Sequence, residues 1–405
     1  MTTWPRRRGK KGRADTTMTE KTKKPRRGEV PDIAELIAPY ESVALVLQGG
    51  GALGAYQAGV FQALEEAGID PNWVSGVSIG AINAAIIAGN RPGSQIDRLR
   101  DFWETVSNRK IWHFTPEGDF FRKLRNQTSS LLTMTTGLPG FFKPRDLNPW
   151  FQFPGSSGAT SFYDTTELES TLNRLVDWDV LNDRRRRLSV GAVNVRSGNF
   201  RYFDSEIEVI GPQHIMASGA LPPAFPATLI ENEYYWDGGI VSNTPLQYLL
   251  EQEDVHDTLV FQVDLFSARG ILPRDMADVM ARHKDIMYSS RTRNNTDTFR
   301  RLHNLRLKLN QALLRVPQDL LTDEDRVFLA DMQDIPQINI VHLIYQQKIY
   351  EGDAKDYEFS GTSMREHWDS GYQDTRRTLS HRKWLEKPPE SIGMAVHDVH
   401  RDDPS

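Results

Sequence analysis

A serine between two glycines is the first residue in this sequence whose setting suggests catalysis. Ser78 stands in the stretch GVSIG, with Gly76 before it and Gly80 after it. The apolar segment NWV predicts a strand before the serine, and INAAIIAG predicts a helix after it. A sharp strand-to-helix turn lifts a serine hydroxyl clear of the backbone, and it needs small residues where strand and helix pass closely. Ser78 is therefore a candidate nucleophile, although a Gly/Ser turn without catalytic function has the same letters.

An aspartate follows an aromatic segment further along the chain. Asp237 ends the stretch YYWD and is followed by Gly238 and Gly239. Glycines tolerate the backbone conformations of a tight turn, so the carboxylate can project over the edge of a sheet. An ordinary Asp-Gly hairpin turn is the alternative for this pattern taken alone. Asp237 is a candidate general base.

A glycine-rich loop, GGGALG, comes directly after the predicted strand SVALVLQ. Read as Gly49-x-Gly51-x-x-Gly54, it fits the dinucleotide-binding fingerprint. That fingerprint requires an acidic residue about 20 positions later, at the end of the second strand. The nearest acid, Asp70, precedes the second predicted strand, and that strand leads to Ser78 instead. These positions disfavour a nucleotide-binding site.

The order of the three stretches is more specific than any one of them. A glycine loop, a serine elbow and an Asp-Gly-Gly turn together resemble the patatin-like phospholipase domain over residues 42–250. The stretch AVNVRSGNFRYF resembles the mid-domain hairpin of that family, and HIMASGALPPAFPATLIENEYYWDGGIVSNTPL resembles its C-terminal signature. The region after residue 280 is similar to a helical extension found in a bacterial branch of the family.

This resemblance implies a Ser–Asp dyad and an acyl-enzyme intermediate, with Ser78 as the nucleophile and Asp237 as the base. It also implies that the glycine loop is an oxyanion hole, with Gly50 and Gly51 as donors and with Gly49 and Gly54 shaping the turn. Leu53 stands where the family often has Lys or Arg, which leaves a cationic contribution to the oxyanion in question. No metal or cofactor is implied.

Three functions remain open at this point. The first is hydrolysis of phospholipid or lysophospholipid esters, and the second is an esterase or depolymerase for another hydrophobic ester, such as a storage polyester. The third is a non-catalytic lipid-binding protein on the same fold.

A Ser-His-Asp triad is the rival catalytic arrangement. Its nominal histidines are His214, which precedes Asp237, and four that follow: His256, His283, His303 and His342.

The alternation of strands and helices predicts an α/β fold, and the resemblance implies a three-layer α/β/α sandwich with a mostly parallel central sheet and a helix-rich C-terminal extension.

We expect a disordered basic tail over 1–35 and an acyl hydrolase domain over 42–250. The last sheet strands and a helical extension are expected over 251–387, and a loose tail over 388–405. Eleven of the first 30 residues are Lys or Arg, which would suit either an anionic lipid surface or a merely solvated tail.

Composition restricts the remaining possibilities. The 405 residues are 39% hydrophobic and include no cysteine, which excludes disulfides and thiolate chemistry. No secretory signal and no run of about 20 apolar residues is found, so a cytoplasmic protein with peripheral membrane contact and no nucleic-acid partner is expected.

The aromatic stretch 111–163 is either an acyl-chain wall or lid, or ordinary core. Its candidate wall residues are Phe114, Phe141, Phe142, Trp150 and Phe151.

Overall fold

A nine-stranded mixed β-sheet forms the centre of the computed structural model, which describes residues 32–107, 119–252, 256–317, 320–331, 335–348, 351 and 355–398. Its strands are β1 (Ser42–Leu47), β2 (Trp73–Gly76), β5 (Arg187–Asn194), β6 (Phe200–Asp204), β7 (Thr228–Ile230), β8 (Glu233–Asp237), β9 (Thr258–Asp264), β10 (Ile338–Ile344) and β11 (Met394–Asp398). A separate two-stranded ribbon consists of β3 (Lys143–Pro144) and β4 (Tyr163–Asp164).

The strand order is β11-β10-β9-β1-β2-β5-β8-β7, with β6 paired to β5 outside this path. The five strands from β11 to β2 run parallel, as does β2 with β5, whereas β6, β7 and β8 pair antiparallel.

The helices are α1 (Ile33–Ile37), α2 (Ala55–Glu66), α3 (Ile79–Ala88), α4 (Gln95–Ser107), α5 (Asp119–Thr136), α6 (Thr166–Leu175), α7 (Trp178–Asn182), α8 (Pro212–Ser218), α9 (Leu246–Leu250), α10 (Met276–Leu313), α11 (Asp323–Asp331) and α12 (Gly361–Ser380).

Alternate residues of β1 enter two different cores, because successive side chains of a strand point to opposite faces of the sheet. Leu45 and Leu47 join a large core with residues of α2, α3, α4 and α12. Ala44 and Val46 join a smaller core with residues of α9, and Phe299 of α10 packs against it. Helices therefore cover both faces of the sheet. The α/β/α fold class predicted from the sequence is confirmed.

The sheet register brings the three motifs to one edge. Leu47 at the end of β1 pairs with Gly76 at the end of β2, so the glycine loop and the serine turn emerge side by side. Strand β8 runs in the opposite direction and pairs Asp237 with Ala192, two residues beyond the partner of Gly76 in β5. An antiparallel strand thus returns the aspartate to the level of the serine.

Both predicted tails need correction. The N-terminal tail is ordered earlier than expected, because Ile33 and Leu36 of α1 are buried in the large core; residues 1–31 lie outside the described residues. The C-terminal tail is not wholly loose, since β11 pairs with β10 and its Met394 is buried in the smaller core. The predicted division at residue 250 stays a prediction. Within the described ranges, no helix combines the length and apolarity needed to cross a bilayer.

Candidate active site

Ser78 occupies a strained turn between β2 and α3. Its backbone has φ +57° and ψ −125°. Residues other than glycine rarely adopt this conformation, and those that do are often found in functional turns. The flanking glycines are required by close approach: a Cβ on Gly76 would overlap the Gly80 carbonyl, and one on Gly80 would overlap the Leu47 carbonyl. This strand-turn-helix geometry is the one that a nucleophile elbow requires.

A second serine supports this turn from helix α8. The Ser78 N–H donates to Ser218 Oγ at 3.1 Å, and Ser218 Oγ donates to the Gly191 carbonyl at 2.6 Å. Ser218 is completely buried, so these bonds are shielded from water. Sequence analysis did not single out Ser218, whose only signal is its place in the stretch ASGAL within the family-like region.

Asp237 lies beside Ser78 and is only 2% exposed. Its carboxylate accepts a hydrogen bond from the Gly239 N–H at 2.7 Å, and the Ser78 side chain lies close to it. Burial raises the pKa of Asp237 to about 7, and the Ser78 side chain and the Gly239 N–H act against this rise without cancelling it. Gly238 packs so closely on the Gly191 carbonyl that a Cβ would lie 2.5 Å from that oxygen.

The glycine loop faces the same cavity as Ser78 and Asp237. Gly49, Gly50 and Gly51 line that cavity, and Gly51 has φ +56°, in the left-handed region that favours glycine. Gly54 is instead buried against Ile79 and Trp103, where it shapes the turn without reaching the cavity.

Leu53 is fully buried within the large core. Its side chain is therefore directed into apolar packing instead of solvent. A cation at this position would need to be accommodated in that core, so the leucine is consistent with its surroundings.

Asn243 ties the glycine loop to the turn that follows Asp237. Its Nδ2 donates to the Gly49 carbonyl at 2.9 Å, and its own carbonyl accepts from the Gly49 N–H at 3.2 Å. Because the Gly49 N–H is engaged here, Gly50 and Gly51 are left as the candidate oxyanion donors. Sequence analysis missed Asn243, although it follows the Asp-Gly-Gly turn by only four residues.

The five nominal histidines lie elsewhere. His214 is buried against Phe203, its Nδ1 accepts from the Gly211 N–H, and burial lowers its pKa. His256 pairs with Glu41 on the surface, and His342 contacts Gln262 at 3.0 Å. The other two, both on α10, are His283, which is exposed, and His303, which packs on Phe299. Within the described residues, no histidine lines the cavity around Ser78.

The cavity itself is small and mainly apolar, with a volume of about 90 Å³. The predicted wall residues Phe141 and Phe142 line it, together with Leu221 and Phe225. Three aromatic residues from beyond position 280 also line it: Tyr288, Tyr357 and Phe359. The C-terminal extension, whose role the sequence left open, thus forms part of the wall.

The other predicted wall residues are differently placed. Trp150 and Phe151 do not line the cavity; they are 84% and 77% exposed, and Phe153 beside them is 87% exposed. They follow β3 in the chain, close to Phe142, and the segment returns at β4, where Tyr163 packs edge-on against Phe142. Phe114 lies outside the described residues. Helix α5, an 18-residue helix within the aromatic stretch 111–163, was not predicted from the sequence.

Two family models match the chain. The model described as patatin-like phospholipase matches residues 45–250, which is about half of the sequence. A second model, described as patatin phospholipase, matches residues 286–391 in the extension. The family resemblance stated from the three motifs is thereby confirmed.

Curated relatives match over a small part of their own length. "Lysophospholipase nte1" of Aspergillus terreus is 60% identical over 47 residues, covering 12% of this chain and 3% of that protein. "Patatin-like phospholipase domain-containing protein 7" of Rattus norvegicus is 49% identical over 59 residues, or 15% and 4%. "Lysophospholipase NTE1" of Cryptococcus neoformans is 26% identical over 241 residues, or 59% and 12%. The chain therefore spans a small part of the length of these relatives.

Two solved structures are more distant. VipD from Legionella pneumophila aligns with 84% of this chain and 67% of its own, at 17% identity and a TM-score of 0.39. Human GIVD cytosolic phospholipase A2 aligns with 57% and 45%, at 12% identity and a TM-score of 0.33.

Proposed function

Because the chain belongs to the patatin-like phospholipase family, we propose that it is a serine lipid acyl hydrolase that cleaves carboxylic esters of phospholipids or lysophospholipids. The observation that carries the proposal is that Ser78 and the buried carboxylate of Asp237 lie beside each other at a cavity lined by the glycine loop. A nucleophile within reach of a base is the general signature of covalent ester hydrolysis.

The reaction follows from the roles of these groups. Ser78 Oγ attacks the ester carbonyl while Asp237 accepts the hydroxyl proton, and the N–H groups of Gly50 and Gly51 hold the resulting oxyanion. Collapse breaks the bond to the alcohol, which leaves with the proton from Asp237. Water then attacks the acyl-Ser78 carbonyl, Asp237 accepts a proton from that water, and the acid is released as Ser78 recovers its proton.

The pKa of Asp237 supports its role as the base. A general base works best when its pKa lies near the working pH, and burial raises the pKa of this carboxyl to about 7. An exposed aspartate, with a pKa near 4, would be a weaker base for a serine hydroxyl. Burial thus gives this aspartate the near-neutral pKa that a histidine supplies as the base of a catalytic triad.

A second candidate is an esterase or depolymerase for a smaller hydrophobic ester. The cavity volume of about 90 Å³ favours it, because so small a space suits a short acyl group better than a long one. The third function considered from the sequence, lipid binding without catalysis, is disfavoured because the serine, the aspartate and the glycine loop converge on one cavity.

Peripheral contact with a lipid surface is part of the proposal. Trp150, Phe151 and Phe153 expose aromatic rings on the segment that joins the cavity residue Phe142 to Tyr163. Aromatic side chains of this kind are stable at the boundary between lipid headgroups and acyl chains. A cytoplasmic location, suggested by the sequence, stays a prediction.

Covalent labelling of the serine tests the proposal. A short-alkyl fluorophosphonate should react with the full-length protein, and mass spectrometry should place the adduct on Ser78. The Ser78→Ala variant should lose this label, and hydrolysis of a panel of phospholipids, lysophospholipids and short esters should disappear with it. A folded wild-type protein that neither takes the label nor cleaves any ester of the panel would refute the hydrolase function.

A further inference from the structure

A short segment of the C-terminal extension lies directly over the glycine loop. This segment, residues 355–359, is called the strap here; it begins with a 3-10 helix, Lys355–Tyr357. A Cβ on Gly51 would overlap the backbone carbonyl of Asp356, so strap and loop are in van der Waals contact. Tyr357 and Phe359 of the strap both line the cavity of Ser78.

Two crossed ion pairs hold the strap to helix α10. Lys284 Nζ contacts Asp356 Oδ1 at 2.8 Å, and Lys355 Nζ contacts Asp285 Oδ1 at 2.7 Å. A Lys-Asp dipeptide on the helix thus meets a Lys-Asp dipeptide on the strap, each lysine facing the aspartate of the other. The Lys355–Asp285 pair is almost completely buried, and removing one partner of such a pair leaves an uncompensated charge.

Aromatic packing holds the other end of the strap. Phe359 stacks on Trp103 with ring centroids 6.4 Å apart and also contacts Phe141 of the cavity wall. The strap is therefore fixed between helix α10 and the large core, with Tyr357 between the two anchors. Lys284 also lies 5.3 Å from the centre of the Tyr357 ring.

With the strap in this position the cavity has a volume of about 90 Å³. This is less than the about 150 Å³ of a cavity that binds benzene, so the space beside Ser78 favours a short acyl group over a long one. A long acyl chain gains room beside Ser78 if part of this wall moves. The strap is the wall segment whose attachments are ionic and can be removed singly.

We propose that the strap determines which acyl chains reach Ser78: in place, it admits short chains, and long chains require its displacement from α10. The proposal rests on the hydrolase function proposed above, and it assigns a specificity role to Tyr357 and to the crossed Lys-Asp pairs. One methylene group in an apolar pocket changes selectivity by about tenfold or more, so a displaced tyrosine ring should have a measurable effect.

The test compares kcat/KM for p-nitrophenyl laurate and p-nitrophenyl butyrate in the full-length protein. Tyr357→Ala enlarges the cavity and Asp285→Asn weakens the attachment, so each should raise the laurate-to-butyrate ratio by about tenfold. Lys387→Met is the control, because it removes a lysine–aspartate contact, with Asp257 just before β9, that is partly exposed like the Lys284–Asp356 pair. Its ratio should equal that of the wild type.

Labelling of Ser78 by a short-alkyl fluorophosphonate separates the possible failures. If both variants unfold at the wild-type temperature and are labelled normally, but their ester ratios are unchanged, the strap has no role in specificity. If wild-type Ser78 is not labelled at all, the hydrolase function fails and the strap proposal fails with it. Should Asp285→Asn not fold, Tyr357→Ala alone decides, since Tyr357 carries no buried charge.

Discussion

Asn243 and Gly49 exchange two hydrogen bonds although they are 194 positions apart in the chain: the Asn243 side chain donates to the Gly49 carbonyl, and the Gly49 N–H donates to the Asn243 carbonyl. One residue thereby connects the loop proposed as the oxyanion hole to the turn that carries Asp237. Preorganised donors stabilise an oxyanion only when they are held where the charge develops. We therefore expect Asn243 to act as a positioning residue for both halves of the proposed site.

Removing this amide should lower turnover more than substrate binding. We expect Asn243→Ala to reduce kcat by about ten- to a hundredfold, with a smaller change in KM, because the loop donors lose their support. The measurement is steady-state hydrolysis of a short p-nitrophenyl ester. Asn339→Ala is the control, since Asn339 is an equally buried amide that bonds to Tyr40 at the opposite end of the sheet. A control that loses as much kcat would mean that the Asn243 effect is general destabilisation.

The dyad predicts that no histidine is essential. We expect His214→Ala and His256→Ala to keep kcat within the same order of magnitude as the wild type, whereas Asp237→Asn should lose about a thousandfold or more. His214 bonds to Gly211, and His256 lies on the surface beside Glu41. The measurement is kcat for a soluble ester, with thermal unfolding of each variant as the control. A histidine variant that folds and is as inactive as Ser78→Ala would favour a triad.

The pKa of Asp237 predicts opposite effects of pH on activity and stability. The base is active when ionised, so kcat/KM should rise with pH through about 7 and level off above it. The raised pKa means that the folded state binds this proton more tightly than the unfolded chain does. The free energy of unfolding contributed by Asp237 is therefore fully present below about pH 4 and is lost as pH rises through about 7.

Asp237→Asn checks the stability half of this prediction. The rise of the pKa from about 4 to about 7 sets an upper limit near 4 kcal/mol on the stability lost. The asparagine variant cannot ionise, so its unfolding free energy in urea should fall less between pH 4 and pH 8 than that of the wild type. An identical fall in both proteins would show that Asp237 is not the group with the raised pKa.

Much of the fold follows from local sequence patterns. The apolar strands, the helices after Gly54 and Ser78 and the turn at Asp237 are each specified within about ten residues, and the sheet register then brings them together. Asn243, Ser218 and the strap were missed for the opposite reason. Their contacts join segments more than 70 residues apart. Neither the spacing of residues nor the composition of the sequence indicates which distant segment a side chain will contact.

The exposed aromatic residues predict a difference between dispersed and membrane-bound substrates. Replacing Trp150, Phe151 and Phe153 together by serine removes three apolar side chains from the surface without disturbing the core, since all three are exposed. We expect weaker sedimentation with phosphatidylcholine vesicles and slower hydrolysis of vesicle phospholipid, because transfer of these rings to the lipid interface is lost. Hydrolysis of a soluble short ester should be unchanged, since the cavity residues Phe141 and Phe142 are retained.

Deletion of residues 1–30 separates the aromatic contribution from that of the basic tail. Eleven lysines and arginines attract anionic lipid by charge, so their removal should weaken binding only to vesicles that contain phosphatidylserine, and only at low salt. The aromatic variant should lose binding to neutral and anionic vesicles alike, because burial of apolar surface does not depend on ionic strength. If the triple serine variant binds neutral vesicles as well as the wild type does, the aromatic segment is not the membrane contact, and the rings at 150–153 serve another purpose than lipid docking.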